Sequence, residues 1–240
     1  MILMLRKGLI LLATLIIMFS VTNIAFAYEN SESDWQEFNN EANALSLKMK
    51  ELVKSGREDE ALSLPEYTEF IDKMEENPEL ARKYIISMQA INALKTGDLD
   101  LQLGQNESRI ISFEDGSFIK VASKSNTNGD GNSVLRDPPG IIVTDVDDFE
   151  FAIWGAYKVA ELHLFTEYEY GYYYAKITDA WTTVKTYLPA WSTDHDSEIV
   201  NDHRSRGEFN FQDPAGSFSA ILITDIEPGS YAVSITHSDY

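Results

Sequence analysis

Apolar side chains recur at helical spacing through the first third of the chain. The first run has apolar residues three or four positions apart, namely Trp35, Phe38, Ala42, Leu45, Met49 and Leu52. This spacing places them on one face of a helix, which Ser33-Asp34 can cap and Gly56 can end. Pro65 and the capping sequence Asn77-Pro78-Glu79 open two further runs of the same kind. Residues 33–97 are therefore predicted to form three short helices, packed as a hairpin or small bundle.

The apolar period changes from helical to alternating after residue 104. Two apolar runs, 109–113 and 118–121, flank the sequence Glu114-Asp115-Gly116-Ser117. Asp-Gly between apolar runs is a strong hairpin signal. Residues 124–140 are dense in Ser, Asn, Gly, Asp and Pro, which predicts a polar linker or long loop. From Phe149 onward the chain carries alternating apolar positions and repeated turn signals, which predict about six to eight strands in a sandwich or barrel.

The closing sequence, Pro228-Gly229-Ser230-Tyr231-Ala232-Val233, turns into a strand of period two. It resembles the last hairpin of prealbumin-like and immunoglobulin-like extracellular sandwiches, and the resemblance covers about the last 35 residues. The expected fold class is α+β, with an N-terminal helical hairpin or bundle followed by an antiparallel β-sandwich. The expected division is a signal peptide over 1–27, a helical subdomain over 28–104, a β-hairpin over 105–123, a polar linker over 124–148 and the sandwich over 149–240.

The first 27 residues have the pattern of a secretory signal peptide. Arg6 and Lys7 precede an apolar run over 8–21, and Ala25-Phe26-Ala27 provides the small residues that a signal peptidase requires. The alternative is an uncleaved anchor, because the apolar stretch is close to the lower limit for a membrane span, roughly 17 residues. Cleavage after Ala27 is the favoured interpretation. It leaves no stable membrane span and places the protein outside the cell, either free or associated with the cell wall.

Composition narrows the class of partner. Removal of the signal peptide leaves 17 basic residues against 39 acidic ones, a net charge of −22. This balance argues against binding to nucleic acids and to anionic lipid surfaces. The chain has no cysteine, which excludes disulfides, thiol catalysis and zinc–thiolate sites. The layout is similar to that of secreted proteins of Gram-positive bacilli.

The segment EYEYGYYYAK, 167–176, contains five tyrosines in ten positions. In a strand, Leu162, Leu164, Thr166, Tyr168 and Tyr170 would share one face, and Glu161, His163, Phe165, Glu167 and Glu169 the other. Tyrosine is common on half-buried sheets, so the cluster is explained by sheet packing alone. The alternative is a row of exposed rings that stack on a sugar or contact a protein. The candidate ligand-binding residues are Tyr172, Tyr174, Trp181 and Trp191.

The sequence NTNGDGNSVLRD, 126–137, resembles the calcium loop of EF-hand and dockerin proteins. The resemblance implies Asn126, Asn128, Asp130 and Asp137 as Ca²⁺ ligands, with Gly131 at the sharp turn. The loop departs from the family pattern at its first position, which is Asn, and at Ser133, where the family has an apolar residue. The simpler interpretation is a polar loop without metal and a protein without a cofactor. Two further Asp–His pairs, at His195 and His203, have a spacing that fits no standard metal motif.

The hydrolase motifs G-x-S-x-G and H-E-x-x-H are both absent from the sequence. The leading expectation is a non-catalytic extracellular module that binds a cell-wall glycan or a protein through surface Tyr and Trp. The second is an exported protein, toxin-like or bacteriocin-like, whose Tyr-rich strands self-assemble or act on a membrane. The third is a wall-acting hydrolase that uses paired acids such as Glu167 and Glu169.

We expect the exported protein to begin at Tyr28, as measured by N-terminal sequencing or intact mass. Ala27→Arg should leave the precursor uncut, because signal peptidases require a small residue at that position. Phe26→Leu is the matched control and should be processed normally. An exported chain that retains residues 1–27 would instead support the anchor.

Overall fold

The computed structural model divides the chain into two compact units, Met1–Glu41 and Ala42–Tyr240. It describes residues 32–96, 99, 101–125, 143–171, 173–187, 192–213, 216–228 and 230–236. The described residues of the first unit are helical, and Trp35 stacks on Phe38 with ring centroids 6.4 Å apart. All other packing described below lies within the second unit.

Five helical segments stand where three were predicted. They are α1 (32–54), α2 (Glu58–Leu62), α3 (Pro65–Glu76), α4 (Pro78–Ser87) and α5 (Gln89–Thr96). Gly56, with φ of 72°, follows the end of α1 as its sequence predicts. Pro65 and Pro78 occupy the first positions of α3 and α4, where the missing N–H costs no hydrogen bond.

The prediction of one continuous third helix was wrong, because Met88 separates α4 from α5 with an extended backbone, φ −61° and ψ 122°. The new helix start is capped from outside. The Gln89 N–H donates to a carboxylate oxygen of Asp115 at 2.8 Å, and the Ala90 N–H donates to Ser117 Oγ at 3.1 Å. Side-chain oxygens that accept these first N–H groups stabilise a helix start, and here they come from the turn of a hairpin 26 and 27 residues away.

Ten strands are present in the described ranges, and they form two five-stranded antiparallel sheets. Their bounds are β1 (Leu101–Leu103), β2 (Ser108–Ser112), β3 (Phe118–Ser125), β4 (Val143–Trp154), β5 (Lys158–Gly171), β6 (Tyr174–Thr186), β7 (Ser192–Asn201), β8 (Arg204–Asp213), β9 (Gly216–Glu227) and β10 (Ser230–Thr236). The first sheet has the order β1-β10-β9-β8-β7, and the second has the order β2-β3-β4-β5-β6. Strands that precede the predicted linker therefore belong to both sheets. Strand β1 pairs with β10 in the first sheet, and β3 pairs with β2 and β4 in the second.

The β2–β3 hairpin contains the predicted Asp-Gly turn. Gly116 has φ of 82°, a conformation that favours glycine, and its Cα hydrogen faces Ser46 on α1 closely enough that a Cβ would lie 3.2 Å from Ser46 Cβ. The turn therefore needs glycine both for its backbone and for its contact with the helix.

Large side chains fill the interior of the second unit. Those with less than 2 % exposure include Phe70, Phe118, Phe149, Phe151, Trp154, Tyr157, Phe209 and Phe211. Polar groups also join the two sheets, since Thr166 Oγ1 on β5 lies 2.8 Å from Ser205 Oγ on β8. Both hydroxyls are fully buried, so each provides the other with the hydrogen-bond partner that water cannot supply.

Tyr84 connects the helices to the second sheet. Its ring packs against Phe70 of α3 and against Tyr157, with centroids 5.8 Å and 6.3 Å away. Its hydroxyl accepts a hydrogen bond from the backbone N–H of Ala156 at 2.9 Å and lies 3.3 Å from Ser46 Oγ. The β4–β5 connection thus depends on a helical side chain for one of its buried backbone donors.

The predicted sequence of helices followed mostly by antiparallel strands is confirmed. Among the described residues, no helix combines the length and apolar character needed to cross a membrane.

We expect Tyr84→Phe to lower the free energy of unfolding by about 1–3 kcal/mol, because the Ala156 N–H would remain buried without an acceptor. Urea denaturation measures the change. Tyr173→Phe removes the same hydroxyl from an 82 % exposed ring and should change stability by less than about 0.5 kcal/mol. Equal effects of the two substitutions would contradict the role assigned to Tyr84.

Candidate functional site

Strand β5 has one buried face and one partly exposed face, as its sequence alternation predicts. The residues Leu162, Leu164, Thr166, Tyr168 and Tyr170 are buried, whereas Glu161, His163, Phe165, Glu167 and Glu169 are partly exposed. The tyrosine-rich segment is therefore divided between the two faces. We call the partly exposed side of the second sheet, formed by these β5 residues and their neighbours on β4 and β6, the outer face.

A β-bulge brings two candidate rings of β6 to the outer face. Glu167 pairs with Asp179, but the next residue, Tyr168, pairs with Ile177, so Thr178 is the extra residue. Tyr174 and Trp181 are seven positions apart and would lie on opposite faces of a regular strand. The extra residue shifts the alternation, and both rings are exposed, at 38 % and 37 %.

Trp181 belongs to a stack of three rings on the outer face. Its ring is nearly parallel to Phe165, with an interplanar angle of 10° and centroids 5.3 Å apart. Phe165 in turn stacks on His163 at 5.6 Å and 9°. The partly exposed indole is thus supported by Phe165, which is itself held by His163, and this support reduces the rotamer freedom that a binding partner would have to restrict.

Next to this stack, eight charged groups form a chain in which positive and negative side chains alternate. In order, they are Lys124, Glu150, Lys120, Glu58, Lys158, Glu161, His163 and Asp148. We call this the charge chain. Its shortest contacts are 2.6 Å, from Lys120 Nζ to Glu150 Oε1 and from Lys158 Nζ to Glu58 Oε1. Glu58 lies on α2, so the chain connects a helix to strands β3, β4 and β5.

Part of the charge chain is buried, which distinguishes it from a set of surface ion pairs. The side chains of Lys158 and Glu150 are only 2 % and 3 % exposed. Burial alone lowers the pKa of Lys158, but hydrogen bonds to Glu58 and Glu161 outweigh it, and the pKa is raised. Burial likewise raises the pKa of Glu150, but hydrogen bonding to Lys120 more than compensates and the pKa is lowered. Both groups therefore stay charged in the folded protein.

His163 completes the charge balance. Its Nδ1 lies 2.7 Å from Asp148 Oδ1 and its Nε2 lies 3.3 Å from Glu161 Oε1. Burial opposes protonation, but the hydrogen bonds to these two carboxylates raise the pKa of His163 to about 9. The hydrogen bond from His163 also contributes most to holding the pKa of Glu161 well below its usual range. With His163 protonated, the chain holds four positive and four negative groups.

The charge chain borders a cleft of about 430 Å³, whose charged lining includes Glu58, Lys120, Lys124, Glu150 and Glu161. Three of these carboxylates, Glu58, Glu150 and Glu161, approach within 4.8 Å of one another, a grouping that metal sites also use. Here the ammonium groups of Lys120 and Lys158 already bridge them. The lowered pKa values of Glu150 and Glu161 also provide no proton donor for a general-acid step near neutral pH.

Two of the four predicted ligand-binding residues are described. Tyr174 donates from its hydroxyl to Glu169 Oε2 at 3.4 Å, and Trp181 lies in the ring stack. They share a face but lie roughly 20 Å apart along the strand, at about 3.3 Å per residue. Tyr172 and Trp191 lie outside the described residues. So do the candidate calcium ligands Asn126, Asn128, Asp130 and Asp137 and the cleavage-site residues Ala25 and Ala27.

Strand alternation alone predicts that Tyr173 shares a face with Ala175 and Ile177, and the structure shows that this prediction is wrong. Tyr173 lies in the turn and is 82 % exposed, whereas Ala175 and Ile177 are buried. The cause is the short connection, because Gly171 pairs directly with Tyr174 and leaves only two residues for the turn. Neither Glu167 with Glu169 nor His195 with His203 belongs to a cluster of three potential metal ligands within the described ranges.

Sequence reasoning placed Phe165 and His163 on the outer face but did not identify them as members of a site. The sequence feature that could have identified this site is Phe165, a single apolar ring among acidic neighbours on a partly exposed strand face. Glu58 gave no comparable signal, since it lies 100 residues from Lys158 in the chain.

No protein-family model matches this sequence, and no curated protein matches it. A solved structure of a hypothetical protein from Listeria monocytogenes is similar to 54 % of this chain over 98 % of its own length. The two are 12 % identical in sequence and have a TM-score of 0.32, which is too low to support an inference about fold or function.

We expect His163 to make stability depend on pH. Its folded pKa of about 9 exceeds the unfolded value of 6.5, so its contribution is fully present below pH 6.5 and is lost as pH rises through 9. The stability difference between wild type and His163→Gln, from urea denaturation, should therefore shrink across this window. His203→Gln is the matched control, because His203 is exposed and outside the charge chain. A difference for His163→Gln that does not change with pH would contradict the assignment.

Proposed function

We propose that the protein is a secreted, non-catalytic binding module that contacts a cationic protein or peptide through the aromatic part of its outer face. The observation that carries this proposal is the Trp181–Phe165–His163 stack, whose terminal indole is 37 % exposed on a sheet face. Tryptophan in such a position combines a large apolar surface with a negative ring face, the combination that dominates many protein interfaces.

Charge complementarity favours a positively charged partner. Acidic groups surround the stack on all three strands: Asp148 pairs with Phe165 across β4–β5, and Glu167 pairs with Asp179 across β5–β6. Glu169 extends the acidic row toward Tyr174. Arginine and lysine side chains can bind over an indole while pairing with nearby carboxylates. The overall net charge of −20 would also accelerate encounter with a basic partner.

The same arrangement favours binding over catalysis. The acids nearest the cleft, Glu58, Glu150 and Glu161, are each held by lysine. A hydrolase that uses two carboxyl groups needs environments that separate their pKa values, whereas Glu150 and Glu161 both have lowered values.

We further propose that the two sheets form a sandwich of the immunoglobulin-like or prealbumin-like type. Contacts between β5 and β8 support it, since Thr166 bonds Ser205 and a Cβ on Gly207 would meet Leu164 at 3.3 Å. The inner faces of both strands are buried, as in two sheets packed against each other. Secretion rests on the leader pattern at residues 1–27.

The proposal predicts that an oligoarginine peptide binds the mature protein and changes its tryptophan fluorescence. Trp181→Ala should weaken binding about tenfold, which corresponds to about 1.4 kcal/mol. Binding should also weaken as salt is raised, because the partner is recognised by charge. Both effects are measured by fluorescence anisotropy with a labelled peptide. Tyr174→Ala tests the far end of the face and should have a smaller effect.

Tyr173→Ala is the matched control, because Tyr173 is the more exposed ring but lies at the hairpin tip. Equal losses for Trp181→Ala and Tyr173→Ala would contradict recognition by the outer face. Binding to isolated Gram-positive cell walls without binding to the peptide would replace the cationic partner with a glycan. Thermal unfolding of each variant verifies that it is folded.

A further inference from the structure

The inner side of the second sheet holds two buried carboxylates near one end of β4. Asp145 and Asp147 are 4 % and 1 % exposed. They are two residues apart on the same strand and both point inward, like their apolar neighbours Phe149 and Phe151. They differ from the acids of the charge chain in position, because those acids lie on the outer face.

Oxygen-bearing side chains surround the pair. Asp145 Oδ2 accepts from Ser125 Oγ at 2.5 Å and from the Tyr168 hydroxyl at 3.3 Å. The Gln105 amide donates to Asp147 Oδ1 at 3.2 Å and to the Tyr168 hydroxyl at 2.9 Å. One connected group of five side chains, from β3, β4, β5 and the β1–β2 connection, thus closes around the two carboxylates.

The charge of this group is not compensated within the described residues. No lysine, arginine or histidine there forms an ion pair with Asp145 or Asp147, whereas every carboxylate of the charge chain has a cation. In addition, Asp147 Oδ2 is buried and has no hydrogen-bond partner among the described groups. A buried anion is costly unless a cation or a proton compensates it.

We propose that Asp145 and Asp147, with the hydroxyl oxygens of Ser125 and Tyr168, bind a calcium ion. The donor set contains only oxygen, which hard divalent cations prefer over the nitrogen and sulfur ligands of zinc or copper sites. Two carboxylates supply the charge, and the unpartnered Asp147 Oδ2 supplies a free ligand position. Calcium accepts six to eight ligands in irregular geometry, which suits a site drawn from three separate strands better than the strict octahedron of magnesium does.

The location gives the ion a structural role. Ser125 is the last residue of β3, and Asp145 lies near the start of β4, so the ion would fasten the open ends of these paired strands. Tyr168 lies on β5, so the same ion would connect three neighbouring strands of the second sheet. A fully liganded ion binds the folded state only, and therefore stabilises it.

Terbium luminescence tests the site directly, because Tb³⁺ occupies calcium sites and is excited through a tyrosine in contact with it. The mature protein should sensitise Tb³⁺ emission on excitation of tyrosine, and Ca²⁺ should displace the emission. Isothermal titration with CaCl₂ should give a Kd on the order of 10⁻⁴–10⁻³ M, the range of extracellular calcium modules. Asp147→Asn should weaken Ca²⁺ binding at least about tenfold, since it removes a charged ligand.

The melting temperature of each variant, measured in CaCl₂ and in chelator, shows both whether the variant is folded and whether calcium stabilises it. Wild type should melt at a higher temperature in CaCl₂ than in chelator, and Asp147→Asn should lose this difference while remaining folded, because its amide no longer leaves a buried charge. Asp196→Asn, an exposed position on β7, is the matched control and should keep the full calcium effect.

Two results would overturn the proposal. If Asp130→Asn, in the predicted loop over 126–137, abolishes calcium binding while Asp147→Asn leaves it intact, the ion belongs to the loop. If CaCl₂ changes neither the melting temperature nor the Tb³⁺ signal of wild type, a proton on the carboxylate pair, not a metal ion, compensates its charge.

Discussion

The buried ammonium group of Lys158 is the contact on which the arrangement of helices and second sheet depends. It lies at the start of β5, is almost inaccessible, and reaches Glu58 on α2 and Glu161 on its own strand. A lone lysine in this position would be strongly destabilising, because its charge would be buried without a partner. The buried charge of Lys158 is therefore compensated only when α2 brings Glu58, and β5 brings Glu161, to its ammonium group. Since Glu58 also binds Lys120, α2 is fixed against two strands by a single carboxylate.

Because this contact holds α2 over one end of the outer face, the two ends of that face differ in solvent exposure. Near α2, Glu150 and Ala152 of β4 are buried although they point to the outer side. Toward the β5–β6 turn the same face is open, and Glu167, Glu169 and Lys176 are accessible. The ring stack lies between the two ends, with His163 in the charge chain and Trp181 toward solvent. Rigidity at one end and access at the other are both properties that a binding surface uses.

Local patterns predicted the parts of the structure that depend on neighbours in sequence. The apolar spacing in α1 and α3, the Asp-Gly turn at Gly116 and the two faces of β5 all follow from helical or strand periodicity within a few residues. Contacts over long distances in sequence were not predictable in this way. The break at Met88 depends on caps from Asp115 and Ser117, and the charge chain depends on pairing Glu58 with Lys158. The order of strands, with β1 beside β10, is likewise decided by packing of the whole unit.

The sequence identified Trp181 as a candidate contact residue and placed Phe165 on the outer face, but it did not reveal how the two rings are arranged. Trp181 was a candidate because of its residue type, whereas its stacking on Phe165 required the register of β5 with β6. That register includes the extra residue Thr178. If Thr178 were instead paired in a regular ladder, the hairpin tip with Tyr174 would be unchanged, but the indole of Trp181 would turn into the interior and Ala180 and Thr182 would be exposed in its place. The identity of the surface thus rests on the parity of one strand: deletion of Thr178 would keep both rings on the outer face, whereas loss of the bulge without a deletion would exchange the two sides of β6 beyond it.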